Sequence, residues 1–523
     1  MPSTDARDTA ASPRRTAIDG VPVLWEDVRT DPGAYLVLAV GYRDASPAEV
    51  GLSHLVEHLV MRRVDAPPGA NASSGPDETV FWATGSARVR ADFLTSVCEA
   101  LEHVRTIDDE SLDTERRTIV AEIGRERLWG THEPFSLRFG LRDLGVLGVN
   151  HGRLLDWTAA EVRSFAERHL HAGAATLVLT DEPWDGLRLP LPSGPAPVRD
   201  VPQDSLERRA VHRVPGAPLV WTAATGAEHS SGATALARAV LERAVYAAAR
   251  TRDGSAYAVQ ASRWFVGPGE AWHLELDAPP HACATAVRAV LETVDRLTVE
   301  GPTPDELRSA REVILAESQH SAARIGRLIE RATLERLSSP RLPVTADDVA
   351  RVELDEVHAA LRAASSTAVL TVPADPQADD AVEIAEKGGY AWTTGCEDPE
   401  GRSPKEVVDA AFDVPGTLRG RATSTVHSGK LFSPARGATV VVCDDRLVLI
   451  DHGFTATLLL DELELVGRDS DDDIELVTSR GGVVVLHPAH YRGLPKALDA
   501  WVERAPHAHV YDKTRVALLG AEG

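Results

Sequence analysis

The stretch Gly51-Leu-Ser-His54-Leu-Val-Glu57-His58-Leu-Val60 decides how this chain is read. Its apolar residues Leu52, Leu55, Val56, Leu59 and Val60 predict a mostly buried helix. On such a helix His54 and His58 stand one turn apart and project from one face. Two neutral imidazoles so placed can fill two tetrahedral positions on a zinc ion. Glu57 lies beside them, able to reach a water at the metal without being a ligand. A pair of histidines on a buried helix without a metal would cost desolvation, which weighs against a purely structural pair. The arrangement is H-x-x-E-H, the order of H-E-x-x-H reversed along the chain with the same parts delivered.

A closed site needs a third protein ligand. Downstream lies Leu112-Asp-Thr-Glu115-Arg-Arg-Thr-Ile-Val-Ala-Glu122-Ile-Gly-Arg-Glu126. Glu115 and Glu122 are two helical turns apart and share a side with Ile119, so that side is expected to face inward. Inward carboxylates on a helix need a partner, and a metal would be one. A solvated acid beside arginines describes Glu126 better than Glu122.

H-x-x-E-H followed after several tens of residues by E-x6-E resembles the M16 family of inverzincin zinc metallopeptidases, the pitrilysin and mitochondrial-processing-peptidase type. Pro67-Pro-Gly-Ala-Asn71-Ala72-Ser73 with Glu78-Thr79-Val-Phe-Trp82 is similar to the family's N-A-x-T…T-x-Y segment, whose strand receives substrate. His151-Gly152, Trp157-Thr158 and a helix at 159–169 match the family's rhythm, and the similarity spans about residues 15–375. The resemblance implies one zinc ion per chain held by His54, His58 and Glu122. It makes Glu57 the general base and Glu115 a carboxylate that orients the site. Asn71 and Ala72 would belong to the substrate strand. In the second half, Arg250-Thr-Arg-Asp-Gly-Ser-Ala-Tyr257 is similar to the family's R-x6-Y element. Arg250 and Tyr257 would then hold the substrate backbone and the developing oxyanion at a partner chain's zinc. Two departures stand out: the interval between His58 and Glu122 is short for the family, and at the substrate strand Ser73 stands before Ser74 where the family usually has threonine nearby.

The order of elements repeats along the chain. Strand-like and helical runs alternate before and after the Pro-rich stretch at 189–198, and each half ends in a helix leading to a short apolar strand (159–169 into 175–180, then 354–363 into 368–372). Thr303-Pro-Asp-Glu opens what reads as one helix over 303–338. The expected fold class is α+β: two M16-type (LuxS/metallohydrolase-like) α/β repeats plus a small C-terminal β-barrel-like domain. The expected boundaries are a disordered N-terminus at 1–15, the zinc-binding repeat at 16–188, a linker at 189–208, the second repeat at 209–375, a linker region at 376–420 with a helix at 404–412, and a β-rich module at 421–510 of pleckstrin-homology or GRAM type. Such modules take protein or lipid ligands or serve in packing. The acidic run at 469–475 fails as a calcium loop, because Ile474 stands where glycine is needed and Arg480 where a bidentate glutamate is needed.

Composition narrows the partners. With 55 Lys and Arg against 79 Asp and Glu, the formal charge of −24 excludes an ordinary nucleic-acid binder and a polybasic membrane anchor. No apolar run approaches a membrane span, and four scattered cysteines fit a reducing, cytoplasmic setting. The expected function is a zinc endopeptidase acting on peptides or unfolded segments, with basic peptides preferred by so acidic a chain. A homodimer, or a heterodimer with a related M16 subunit, is the expected assembly. The alternatives are a non-catalytic M16-like partner subunit, a binding scaffold recruited through its C-terminal module, and a dedicated leader-peptide processing enzyme.

Overall fold

A computed structural model describes residues 13–28, 30–123, 133–148, 153–214, 218–393, 395–397, 425–429, 437–451, 454–468 and 473–512. The readings made above for residues 1–12, Glu126, His151-Gly152, the helix at 404–412 and the acids at 469–472 lie outside them. The first half contains β1 (Arg14–Ile18), β2 (Val21–Trp25), β3 (Gly33–Leu38), α1 (Leu52–Met61), β4 (Asn71–Ser74), β5 (Thr79–Thr84), α2 (Ala87–Val104), α3 (Asp109–Ile123), α4 (Glu133–Phe139), α5 (Ala159–His169) and β6 (Ala175–Leu179). The second contains β7 (Ala210–Val214), β8 (Leu219–Thr225), α6 (Ser231–Val245), β9 (Val259–Val266), β10 (Gly269–Leu276), α7 (Cys283–Val299), α8 (Pro304–Glu317), α9 (Ser321–Arg336), α10 (Ala346–Ala350), α11 (Leu354–Ser366), β11 (Val369–Pro373), α12 (Asp379–Lys387) and β12 (Ala391–Trp392).

Both halves wind the same way. The first sheet has the order β1-β2-β6-β3-β5-β4, and the second β12-β7-β11-β8-β10-β9. In each, the last long strand runs parallel to one neighbour and antiparallel to the other (β6 with β2 and β3, β11 with β7 and β8). Each ends on an antiparallel hairpin whose outer strand is an edge, β4 or β9. α1 lies between β3 and β4, and α6 takes the corresponding place between β8 and β9. The shared topology follows from a shared apolar pattern, with fully buried runs such as Ala175–Leu179 and Val369–Pro373 in mid-sheet.

Each half also lends a helix to the other. On α9, Leu328 and Ala332 pack against Leu24, Val37, Val80 and Val178 of the first sheet. On α4, Phe135 and Leu137 pack against Ala271, Ala210 and Val369 of the second. The exchange corrects one expectation: 303–338 is two helices, not one. Thr303 and Glu306 form the expected capping box at the start of α8, but the chain breaks at Ser318–His320 so that α9 can turn onto the other sheet. The second repeat also runs past residue 375. β12 pairs with β7, and Tyr390 is buried with its hydroxyl bonded to Trp221 Nε1 at 3.0 Å. At the other end, β1 draws Arg14 and Arg15 out of the expected tail into the first sheet.

The C-terminal module contains β13 (Thr425–Ser428), β14 (Thr439–Val442), β15 (Arg446–Asp451), β16 (Phe454–Leu459), β17 (Leu463–Arg468), β18 (Ile474–Thr478), β19 (Val483–Leu486), α13 (Leu494–Val502) and β20 (His509–Asp512). They form two four-stranded sheets, β13-β14-β15-β16 and β19-β18-β17-β20, around one core that includes Leu498 and Trp501 of α13. The helix does not close the module, because β20 follows it and pairs parallel to β17. The module is seated on the first repeat: Leu141 packs with Leu465, Val477 and Tyr511, and its amide donates to Ser479 O at 2.8 Å. Among the described residues no helix is long and apolar enough to cross a membrane.

Candidate metal centre

α1 starts after Gly51, whose φ of 97° is a conformation that glycine adopts without a side-chain clash. Leu52, Leu55, Val56, Leu59 and Val60 enter the first core, as their spacing dictates. The remaining face carries His54 and His58 towards α3. His54 Nε2 and His58 Nε2 are 3.2 Å apart. Glu122 Oε2 lies 3.1 Å from His58 Nε2 and 3.6 Å from His54 Nε2. Three donors bound to one zinc ion at about 2.0–2.1 Å in a tetrahedron stand roughly 3.3 Å from one another. The three side chains therefore fit the ion. Among the described residues they are the one group of three or more His, Cys, Asp or Glu with donor atoms within 4.8 Å of one another.

Their protonation suits the same role. Burial, with the nearby His58 adding, pulls the His54 imidazole down to about 4, so it is neutral near pH 7 with a lone pair to give. Glu115 is buried behind His58. Its Oε2 is 3.5 Å from His58 Nδ1, and its Oε1 accepts from Arg62 Nη1 at 2.8 Å. A carboxylate at the far nitrogen of a ligand histidine orients the ring and raises its basicity. Of Glu115 and Glu122 on α3, Glu115 is the buried one and Glu122 sits at the open side, so only part of the expected inward face is enclosed.

Glu57 faces β4, where the side chain and main chain of Ser74 favour its ionised carboxylate. Burial raises its pKa above the ordinary carboxylate value, against the opposing pull of His58 and of Ser74. Ser74 in turn donates to Ser53 O at 3.1 Å, tying β4 to the start of α1. On β4 itself Asn71 is exposed and Ala72 buried; among the described residues the strand pairs with β5 on one side and ends the sheet on the other. Arg250 lies in a π-helical turn that continues α6, and its guanidinium sits 5.4 Å from the centre of the Tyr257 ring. Tyr257 is exposed, and among the described residues no hydrogen bond, ion pair or ring contact joins this pair to the His–Glu group.

One neighbour was not marked by the sequence. The Tyr42 ring meets His54 edge-on with centroids 6.4 Å apart, and nothing in its local sequence signals it. Ser74, the last residue of Asn71-Ala-Ser-Ser74, stands out in the sequence as a departure on the substrate strand, and its place beside Glu57 comes from the fold.

No protein-family model matches the sequence, and no curated protein matches it. Solved structures do match the fold. The inactive domain of an M16 peptidase from Pseudomonas fluorescens superposes with a TM-score of 0.56 at 14% identity, over 69% of this chain and 98% of that one. A protease from Helicobacter pylori gives 0.55 at 14% identity, over 69% and 100%. The first half of the periplasmic protease PqqL from Escherichia coli gives 0.53 at 13% identity, over 72% and 97%. The fold is that of M16 peptidases, shared by structures described as proteases and by one described as inactive, so function rests on the side chains.

Proposed function

We propose that this protein is a zinc-dependent endopeptidase acting on peptides or unfolded segments. The carrying observation is the tetrahedral spacing of His54, His58 and Glu122 with Glu57 alongside. Zinc held there would supply Lewis acidity, lowering the pKa of a water towards neutrality and polarising the scissile carbonyl. Glu57 takes the proton of the attacking water and passes it to the leaving amine, a task for which a carboxylate made more basic by burial is suited. Glu115 keeps His58 oriented. The free edge of β4 accepts an extended peptide by main-chain hydrogen bonds, beside Ser74 and hence beside Glu57.

Arg250 and Tyr257 act as oxyanion donors for a second chain, in a homodimer or with a related subunit; their mutual contact at an exposed position supports this reading. The charge of −24 favours basic peptides, and buried cysteine thiols suit a cytoplasmic setting. Metal analysis beside a Glu57→Gln comparison tests the proposal and separates it from a non-catalytic subunit. One zinc per chain is expected in both proteins, with cleavage reduced by roughly 10²–10⁴ in the variant. Substoichiometric zinc, or equal cleavage by both proteins, would end the reading.

A further inference from the structure

The linker between the repeats crosses the first hairpin, and one of its side chains is largely buried there. Arg199 donates from Nε and Nη2 to both oxygens of Asp44, at 3.0 and 2.6 Å. It also donates from Nη1 to Asp77 Oδ1 at 2.6 Å, and from Nη2 to Asp77 O at 3.3 Å. Arg43 completes the cluster, reaching Asp77 Oδ1 at 2.9 Å, Phe265 O of β9 at 2.8 Å, and Asp143. The side chain of Arg199 is 13% exposed and that of Arg43 1%, so these are enclosed ion pairs rather than screened surface ones.

The cluster grips two short segments that the backbone already holds together. Tyr42 N donates to Gly75 O at 3.0 Å and Arg43 N to Pro76 O at 3.2 Å. A Cβ on Gly41 would meet Gly75 O and Pro76 O at 2.4 Å, so the chains touch there without room for a side chain. The first segment carries Tyr42 against His54, and the second begins beside Ser74, which bonds Ser53 O of α1 and faces Glu57. The bidentate fork of Arg199 therefore spans the two supports that meet the metal helix from either side.

We propose that Arg199 is a positioning residue that sets β4, and with it the peptide edge and Ser74, against the His54–Glu57–His58 helix. Its catalytic consequence rests on the peptidase reading, whereas the placement itself does not. The test compares the full chain with Arg199→Ala by amide hydrogen exchange and by peptide cleavage, at a temperature where both are folded. Exchange at the amides of Tyr42, Arg43 and Gly75 is expected to rise about tenfold or more while β3 and β6 keep their protection. KM for peptide should rise about tenfold with zinc content unchanged. If Arg199→Ala does not fold, Arg199→Lys, which keeps the charge but loses the fork, is read in the same way. Absence of cleavage by the unaltered protein would count against the peptidase reading alone, since exchange still decides the placement. Unchanged exchange at those three amides, or equal acceleration along the whole chain, overturns the assignment.

Discussion

Two helices occupy the same slot in the two repeats and share an apolar core face, but only one adds a His–Glu group. α6 presents Ala233, Leu236, Ala237, Val240 and Leu241 to its core, whereas α1 places two imidazoles and a carboxylate on the corresponding kind of helix. The second repeat does bury an acid nearby, Glu270, but local donors satisfy it: Thr234 Oγ1 at 2.9 Å and Trp272 Nε1 at 3.2 Å. The hairpin turns differ in the same sense. The first turn is charged, with Asp77 and Glu78; the second is Gly267-Pro268. The apolar pattern holds the topology in both repeats, and chemistry is added only where a partner offsets the burial of polar groups.

The comparison breaks most severely at a ligand. His58→Ala should abolish stoichiometric zinc and peptide cleavage together, read by metal analysis and a peptide assay; zinc retained at one per chain would show that the helices differ in sequence but not in metal chemistry. Arg250→Ala, in the second repeat, should leave zinc content alone and reduce cleavage by roughly 10²–10³, as loss of an oxyanion donor does. Mixing it with His58→Ala chains should restore part of the activity if the pair serves a partner's site; titrating one variant with the other measures this. Glu115→Ala should weaken zinc roughly 10–100-fold, seen in chelator competition, with the fold intact by circular dichroism.

The smallest effect concerns the charged turn. Burial, then Asp77, raise the Glu78 carboxyl from 4.5 to about 7. The folded state thus keeps this proton longer than the unfolded chain does. Its contribution makes stability fall as pH rises from about 4.5 through about 7. Glu78→Gln should therefore melt a few degrees higher than the parent at about pH 8 and equally at about pH 4. No difference at the higher pH would remove this contrast between the hairpins.

Most of the candidate metal centre was legible because it is local. His54, Glu57 and His58 lie within one turn of a helix whose burial its own residues announce, and Glu115 and Glu122 follow at a helical repeat on α3. The repeat order was legible for the same reason, since it needs only the sequence of strands and helices. Tyr42 and Arg199 were not legible. Their roles depend on contacts with residues distant in the chain, Arg199 with Asp44 and Asp77, and no local period encodes such a meeting. The break between α8 and α9 was hidden likewise: Ser318–His320 carries no proline or glycine, and the turn exists because Leu328 and Ala332 find their partners on the other sheet.

The sequence by itself determined the ligand helix, the spacing of its histidines and the twofold order of elements, because each is set by side-chain periodicity over a few turns. Only the tertiary structure decided that Glu122 meets both histidines, that Ser74 ties β4 to the start of α1, and that the two repeats exchange helices across their sheets. Those facts require surfaces far apart in the chain to bury one another, and the free energy that selects them appears only on packing.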